Sequence, residues 1–293
     1  MPTLPSNPYR VLLTGFGPFG SFAVNPSWLA VKPLHNLILD TQPAPVTHEE
    51  QVVLGTDGGN CGIRQLHITS LQVPTEYDVV LSTVPSFHTR PPTLPESDDP
   101  GHPMIPADGY DLVFHVGVAG PGPARLEKLG HKSGYQMRDA AGKMAPIIAE
   151  EGGEFIYKRM TEAEEIEMAR IRERLPNIEK YQQTGKVPLR GFAKGYEQFE
   201  EEIHTDIDVE RLVAHLKEAY PEYIRDSVDA GRYLCDFTYY CSLAEAQRQK
   251  EKDSSGKRTK VLFLHCPPID QPLGTEEVTD MIKRTIVWVS QNS

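Results

Sequence analysis

Cysteine is scarce in this sequence: four occur among 293 residues, and no two have the C-x-x-C spacing. Domains held together by disulfides use cysteine far more densely, so a disulfide framework is excluded. We therefore expect reduced thiols and a cytoplasmic location. The two cysteines that are nearest in sequence, Cys235 and Cys241, fall on one predicted helix.

Long apolar runs and an excess of positive charge are missing as well. No run approaches the roughly 20 apolar residues that cross a bilayer, and Met1 to Pro8 lacks the apolar core of a signal peptide. The chain has 30 Lys and Arg against 41 Asp and Glu, a net charge of −11. This acidic balance without a basic tract argues against nucleic acid and anionic membranes as partners.

The sequence does contain alternating short apolar runs and amphipathic segments. Strands are predicted near residues 9–14, 64–73, 78–84, 111–116, 223–228 and 261–264, and helices at 26–34, at 208–220, from 235 onward and at 275–291. Short apolar strands between helices are typical of a sheet that is covered on both faces. The sequence thus predicts an α/β fold, a three-layer α/β/α sandwich around a mostly parallel, twisted sheet.

One stretch interrupts this alternation. Residues 145–205 are rich in charge, and Thr161 with Glu164 forms a capping box that opens a predicted helix over 162–175. We interpret residues 1–293 as a single α/β domain with an inserted, charged, partly helical excursion at about 145–205.

The first predicted strand ends in a glycine-rich loop, Gly15 to Gly20, which formally fits the dinucleotide fingerprint G-x-G-x-x-G. Such a loop must lead directly into a helix. Here Pro18 lies within the loop, and Asn25 followed by Pro26 is typical of a helix that starts later. Nucleotide binding is therefore kept only as an alternative.

Other residues near predicted strand ends are also open to two interpretations. Phe16 and Phe19 either pack under the sheet or line a flat apolar pocket. A second glycine-rich turn, Gly117 to Gly122, is followed by Glu127, which is either a solvated carboxylate or part of a site.

A metal site has little support in the sequence. Pro85 to Gly109 is predicted to be a long surface loop, and its two histidines, His88 and His102, lack the spacing of metal ligands. We expect no metal and no cofactor.

Cys235 lies where a helix is predicted to start, just after Gly231. N–H groups and the dipole at a helix start favour thiolate, the reactive form of cysteine. Cys235, His265 and Glu127 all follow predicted strands, and together could supply a nucleophile, a base and a group that orients the base. His115 competes with His265 as the base, and a buried structural cysteine is the alternative to a nucleophile.

Six segments, in this order, carry a likeness to a known family: Val11–Gly20 (Val-Leu-Leu-Thr-Gly-Phe-Gly-Pro-Phe-Gly), Val24–Trp28 (Val-Asn-Pro-Ser-Trp), Gln72–Thr75 (Gln-Val-Pro-Thr), Val116–Gly120 (Val-Gly-x-Ala-Gly), Ala230–Cys235 (Ala-Gly-x-Tyr-Leu-Cys) and the strand that ends in His265. The sequence here resembles the pyroglutamyl peptidases I, peptidase family C15.

The resemblance implies an α/β/α domain and a thiol peptidase that removes the N-terminal pyroglutamyl residue from small peptides. It implies Cys235 as the nucleophile, His265 as the base and later the acid, and Glu127, after a one-residue deletion, as the orienting acid. The implied substrate-binding residues flank a lactam ring: Phe16, Phe19, Asn25, the backbone of Val118, Tyr233 and Leu234.

Three positions depart from the family's usual residues: Val118 stands in place of Gln, Gln136 in place of Arg, and Asp236 in place of Asn. Asp236 would place a negative charge beside the thiol and oppose thiolate formation. These departures leave a non-catalytic homologue that binds a ligand or partner as the rival hypothesis. The sequence indicates no oligomeric state.

Overall fold

The computed structural model describes residues 8–20, 22–40, 65–95, 105–153, 187–252 and 258–292. The strands in these ranges are β1 (Tyr9–Phe16), β2 (Ile38–Asp40), β3 (Gln65–Val73), β4 (Leu112–Val118), β5 (Ala124–Glu127), β6 (Leu129–His131), β7 (Ile147–Gly153), β8 (Val187–Arg190), β9 (Glu202–His204), β10 (Ile224–Ser227) and β11 (Lys260–Cys266). The helices are α1 (Pro26–Val31), α2 (Tyr77–Phe87), α3 (Val209–Leu216), α4 (Leu234–Lys252) and α5 (Thr275–Gln291), with a 3-10 turn (Lys32–Leu34) after α1. Each of these helices falls short of the length or the apolar character needed to cross a bilayer.

Seven strands form the central sheet in the order β10-β5-β11-β4-β1-β3-β2. The four central strands, β11, β4, β1 and β3, run parallel to one another. At the two sides, β5 is antiparallel to β11 and β2 is antiparallel to β3. The prediction of a mostly parallel sheet is therefore confirmed.

Two apolar cores cover the two faces of this sheet. Val11 and Leu13 of β1 pack with α1, α3 and α5 on one face, whereas Leu12 packs with α2 and α4 on the other. This alternation follows from the period of two along a strand. The predicted three-layer α/β/α sandwich is confirmed.

The segment predicted as a strand at 78–84 lies within α2, so that prediction was wrong. Tyr77, Val80, Val84 and Phe87 are fully buried, and their spacing of three or four residues places them on one face of a helix. The short apolar run in the middle of this segment is equally compatible with a strand, and only the longer helical period distinguishes the two.

The regular secondary structure in the described parts of the charged excursion is β-structure. β7 and β8 form an antiparallel pair, and β9 pairs with β6. The N–H groups of Gly134 and Tyr135 both donate to the carbonyl of Arg190, which ties β8 to the segment after β6. The predicted helix at 162–175 lies outside the described residues.

Candidate active site

Cys235 is the second residue of α4, as the predicted helix start required. The turn before it is closed by Asp229, whose side chain accepts from the N–H of Gly231 at 3.1 Å, and Gly231 has a φ of 83°. The first helical hydrogen bond runs from the N–H of Phe237 to the carbonyl of Tyr233. The Cys235 thiol is half-buried at this helix start, a position that favours thiolate.

The sulfur of Cys235 lies against the backbone of Gly117 in β4. A Cβ added at Gly117 would lie 2.8 Å from Cys235 Sγ and 2.8 Å from Phe263 Cζ. Real Cβ atoms essentially never approach other atoms this closely, so only glycine fits between the thiol and the Phe263 ring.

We expect Gly117→Ala to lower the free energy of unfolding by about 1–3 kcal/mol, because the new methyl group overpacks this contact. Urea unfolding of the variant measures the loss. Gly17→Ala is the matched control, because its Cβ would make only ordinary van der Waals contacts, with the carbonyl oxygen of Val73 at 3.7 Å and the Cα of Pro74 at 3.8 Å. We expect the control to change stability by less than about 0.5 kcal/mol. Equal losses in the two variants would contradict the close contact.

His265 lies on the strand next to Gly117. The register pairs His265 with Gly117 across β11 and β4, and the rings of His265 and Phe263 are 4.8 Å apart between centroids. Residues two apart on a strand project from the same face. The imidazole is therefore on the same face of the sheet as the Cys235 thiol.

Glu127 holds the imidazole from the other side. His265 Nδ1 is 2.7 Å from Glu127 Oε1, and the Glu127 side chain is fully buried. An ionised carboxylate only accepts hydrogen bonds, so Nδ1 carries the proton and Nε2 is left as the acceptor. Arg125 Nε lies 3.4 Å from the same oxygen, and the Tyr239 hydroxyl donates to the carbonyl of Glu127 at 2.9 Å. The carboxylate thus has a fixed position and a nearby positive charge.

His115, the competing histidine, is a buried residue of β4. Its Nδ1 is 2.7 Å from Thr14 Oγ1. Burial, followed by the nearby His88, lowers the pKa of His115 to about 3, so the ring stays neutral near neutral pH. No carboxylate orients this ring among the contacts of the described residues, which distinguishes it from His265.

The structure describes one of the two histidines considered as metal ligands. His88 is buried and its Nε2 lies 2.8 Å from Ser242 Oγ, while burial lowers its pKa to about 3. His102 lies outside the described residues.

The aromatic residues of the first loop occupy different environments. Phe16 is buried, with its ring centroid 6.4 Å from that of Phe263. Phe19 is half-buried and lies 5.1 Å from the ring of Tyr233, whose hydroxyl donates to the carbonyl of Arg138. Phe16 therefore packs in the core between the sheet and α4. The contact between Phe19 and Tyr233 lies nearer to solvent.

The remaining predicted binding residues support this region in other ways. The Asn25 side chain is buried, accepts from the N–H of Ser27 and donates to the carbonyl of Gly17 at 3.1 Å, so it braces the loop. Leu234 is buried in the core at the start of α4. The Val118 side chain packs on the opposite face, against the core of α1 and α5, which leaves its backbone at the end of β4.

The glycine-rich loop does not have the geometry of a dinucleotide site. β1 ends at Phe16 and α1 begins only at Pro26, whereas a dinucleotide loop passes straight into its helix. The start of α1 is occupied by its own cap, since the Ser27 N–H donates to Asn25. Gly15 instead permits close packing, because an added Cβ would lie 2.9 Å from the Cα of Trp28.

Two departures from the family pattern have structural partners. Gln136 Nε2 donates to the carbonyl of Pro188 at 2.8 Å. Asp236 is fully buried, and its carboxylate binds His131 and Tyr135. The expectation that the charge of Asp236 opposes thiolate formation considered this residue alone. The structure adds two groups that bind its carboxylate.

Sequence reasoning missed Arg125 and His131 as neighbours of the site. These residues lie in two short strands that the sequence did not predict. β5 contains Arg125 and Glu127, and β6 runs from Leu129 to His131. An alternation of apolar and other residues over 124–131 could have indicated these strands, but it is short and Lys128 interrupts it.

No protein-family profile matches the chain. Among curated proteins, pyroglutamyl-peptidase 1 of Rattus norvegicus is 27% identical over 280 residues, which cover 94% of this chain and 87% of the relative. The Homo sapiens protein of the same name is 27% identical with the same coverage.

Solved structures share the fold. Pyroglutamyl peptidase I of Bacillus amyloliquefaciens superposes with a TM-score of 0.55 at 19% identity, covering 95% of both chains. Pyrrolidone carboxyl peptidase of Thermus thermophilus gives a TM-score of 0.53 at 17% identity and covers 94% of this chain and 98% of its own. The chain is therefore similar over 94% of its sequence to curated pyroglutamyl-peptidases 1, and it shares its fold with solved pyroglutamyl peptidases I.

Proposed function

We propose that this protein is a cysteine exopeptidase that hydrolyses the bond after an N-terminal pyroglutamyl residue of peptides. The observation that carries the proposal is the buried His265–Glu127 hydrogen bond of 2.7 Å, next to the glycine on which the Cys235 sulfur rests. A nucleophile, a base and an orienting acid meet in this way in thiol hydrolases.

Each of the three side chains has one role in the reaction. Cys235 is the nucleophile, and His265 Nε2 accepts its proton. Glu127 keeps the proton of the imidazole on Nδ1 and stabilises the imidazolium that forms. Arg125 Nε lies 3.4 Å from Glu127 Oε1 and places a positive charge beside this carboxylate.

The reaction has two halves. The Cys235 thiolate attacks the carbonyl carbon of the pyroglutamyl residue, and the oxygen takes up the negative charge. The tetrahedral species then expels the peptide amine, which receives its proton from the His265 imidazolium, and a thioester remains. Water gives a proton to His265 and attacks the thioester, which releases pyroglutamate and restores the thiol.

Backbone N–H groups at the start of α4 stabilise the oxyanion. They precede the first helical hydrogen bond, which is accepted by the carbonyl of Tyr233. The loss of one such donor typically costs about 3–4 kcal/mol of barrier.

The pocket for the lactam ring is built from aromatic and backbone groups. Pyroglutamate has no free amine, so a suitable site is apolar and offers hydrogen bonds without a buried unpaired charge. Phe19 and Tyr233 supply flat walls and the backbone of Val118 supplies hydrogen bonds, while Phe16, Asn25 and Leu234 support these groups from behind.

The test is the release of aminomethylcoumarin from its pyroglutamyl amide. We expect turnover that iodoacetamide abolishes, and no turnover of the prolyl amide, which carries a charged amine where the lactam has a carbonyl-flanked N–H. Protein with alkylatable Cys235 that fails to cleave the pyroglutamyl amide would overturn the proposal and favour a binding protein on the same scaffold.

We also propose that the chain is a single domain with an insertion at about 145–205, and that it acts in the cytoplasm. The hydrogen bonds of Gly134 and Tyr135 to Arg190 support the first point, because they attach the insertion to the segment after β6. Two of the cysteines, Cys241 and Cys266, are buried thiols, which supports a reducing location.

A further inference from the structure

The residue after the proposed nucleophile, Asp236, carries a carboxylate that is fully buried. Asp236 Oδ1 accepts from the backbone N–H of His131 at 3.2 Å, and both carboxylate oxygens lie 3.2 Å from His131 Nδ1. Tyr135 donates its hydroxyl to Oδ2 at 3.1 Å. The side chain thus ties the first turn of α4 to β6.

An unbalanced charge at this position would work against the thiol. Asp236 directly follows Cys235, and neighbouring Cα atoms are about 3.8 Å apart, so a charge on the Asp236 side chain acts on the thiol across one peptide unit. A nearby negative charge disfavours thiolate. It also offsets the positive end of the helix dipole, which favours thiolate at a helix start.

His131 is the group best placed to balance this charge. Its side chain is 4% exposed, and its Nδ1 contacts both oxygens of Asp236. Arg232 Nη1 is farther away, at 3.7 Å from Oδ2, and it is shared with Asp229 at 3.2 Å.

The other groups around this pair do not replace His131. Burial raises the pKa of Asp236, while His131, Arg232 and Tyr135 act in the opposite direction. Burial keeps the phenols of Tyr77, Tyr135 and Tyr239 neutral by raising their pKa. On the far side of His131, Glu202 Oε1 lies 3.8 Å from Nε2 and is itself exposed.

We propose that His131 is a positioning residue that binds the carboxylate of Asp236 through its Nδ1 and backbone N–H, and so limits the effect of that carboxylate on the ionisation of Cys235 at the start of α4. The proposal rests on the proposed role of Cys235 as the nucleophile. His131 and Asp236 form a second histidine–carboxylate pair, in addition to the His265–Glu127 pair. This second pair acts on the thiol through Asp236.

The test is the pH dependence of iodoacetamide alkylation at Cys235, followed by mass spectrometry of the peptide that contains it. In His131→Gln, the Asp236 carboxylate loses its nearest nitrogen partner while Arg232 Nη1 stays 3.7 Å away, and we expect the inflection to rise by about one pH unit. Alkylation below the inflection should then be about tenfold slower. In Asp236→Asn and in the double variant no charge is left to balance, so both inflections should lie within about 0.3 units of the wild type.

Rescue by the double variant separates charge balance from packing. If His131→Gln leaves the inflection unchanged, or if the double variant is shifted as far as His131→Gln, the proposal is overturned. His215→Gln is the matched control, because His215 is exposed and its carboxylate partner is Glu218 at 3.9 Å. Near-ultraviolet circular dichroism checks that each variant is folded.

Asp236→Asn decides the matter if His131→Gln does not fold. A shift of one unit or more in either direction would show that the Asp236 charge was not balanced, and would overturn the proposal. Alkylation needs no turnover, so this result is independent of the pyroglutamyl amide assay. The shift in the alkylation inflection can be measured whether or not the protein has peptidase activity.

Discussion

Replacing Cys235 with serine or alanine is expected to reduce pyroglutamyl amide hydrolysis by about 10⁴-fold or more. Alanine supplies no nucleophile, and a serine hydroxyl ionises far less readily than a thiol in the same environment. Fluorescence release measured at high enzyme concentration gives the residual rate.

Cys241→Ala is the matched control for this loss. Cys241 lies on the same helix, is fully buried, and contacts the Tyr196 hydroxyl at 3.3 Å. Burial raises the pKa of its thiol well above the ordinary value, so it is unreactive near neutral pH. We expect its activity to stay within a few-fold of the wild type; if Cys241→Ala is as inactive as Cys235→Ser, the assignment of Cys235 is wrong.

Glu127→Gln is expected to lower kcat by about 10²–10⁴-fold, with a small change in KM. The amide nearly matches the carboxylate in shape but brings no charge to stabilise the imidazolium. Its NH₂ group also permits the tautomer in which Nδ1 accepts, which leaves the proton on the nitrogen that must receive one from the thiol. Steady-state kinetics over a range of pyroglutamyl amide concentrations separates the two parameters.

The control for Glu127→Gln is an exposed carboxylate that also has a cationic partner. Glu210 is 77% exposed and lies 2.7 Å from Lys128 Nζ, so Glu210→Gln should leave kcat within about twofold. Thermal unfolding of both variants shows whether Glu127→Gln is folded. A folded Glu127→Gln protein with wild-type kcat would remove Glu127 from the mechanism.

Much of the fold could be predicted because local signals and tertiary packing agree. The helix at 275–291 was predicted with the bounds that α5 has, since its buried residues recur at helical spacing. Asn25 and Pro26 mark the start of α1, because a cap and a proline at the first helical position act within a few residues.

The failures fall on short segments. The sequence predicts a strand where α2 lies, because the central apolar run of this segment is compatible with both structures. The strands β5 and β6 were missed because they are four and three residues long, too short for a period of two to be distinguished from chance.

The candidate site could be proposed in part from the sequence. Residue type and position at the ends of strands suggested Cys235, His265 and Glu127, and the family resemblance ordered their roles. The choice between His115 and His265 depended on which ring meets a carboxylate, and that contact joins residues 138 positions apart in the chain.

The sequence by itself determined the layered α/β fold, the position of α4 and the presence of a thiol at its start, because these depend on periodicity and on caps that act locally. Only the tertiary structure decided which histidine lies beside Glu127, why residue 117 has no side chain, and how the charge of Asp236 is held. These properties depend on contacts between strands and helices that are distant in sequence, and the energy of such contacts is set by burial and distance, which the order of residues does not contain.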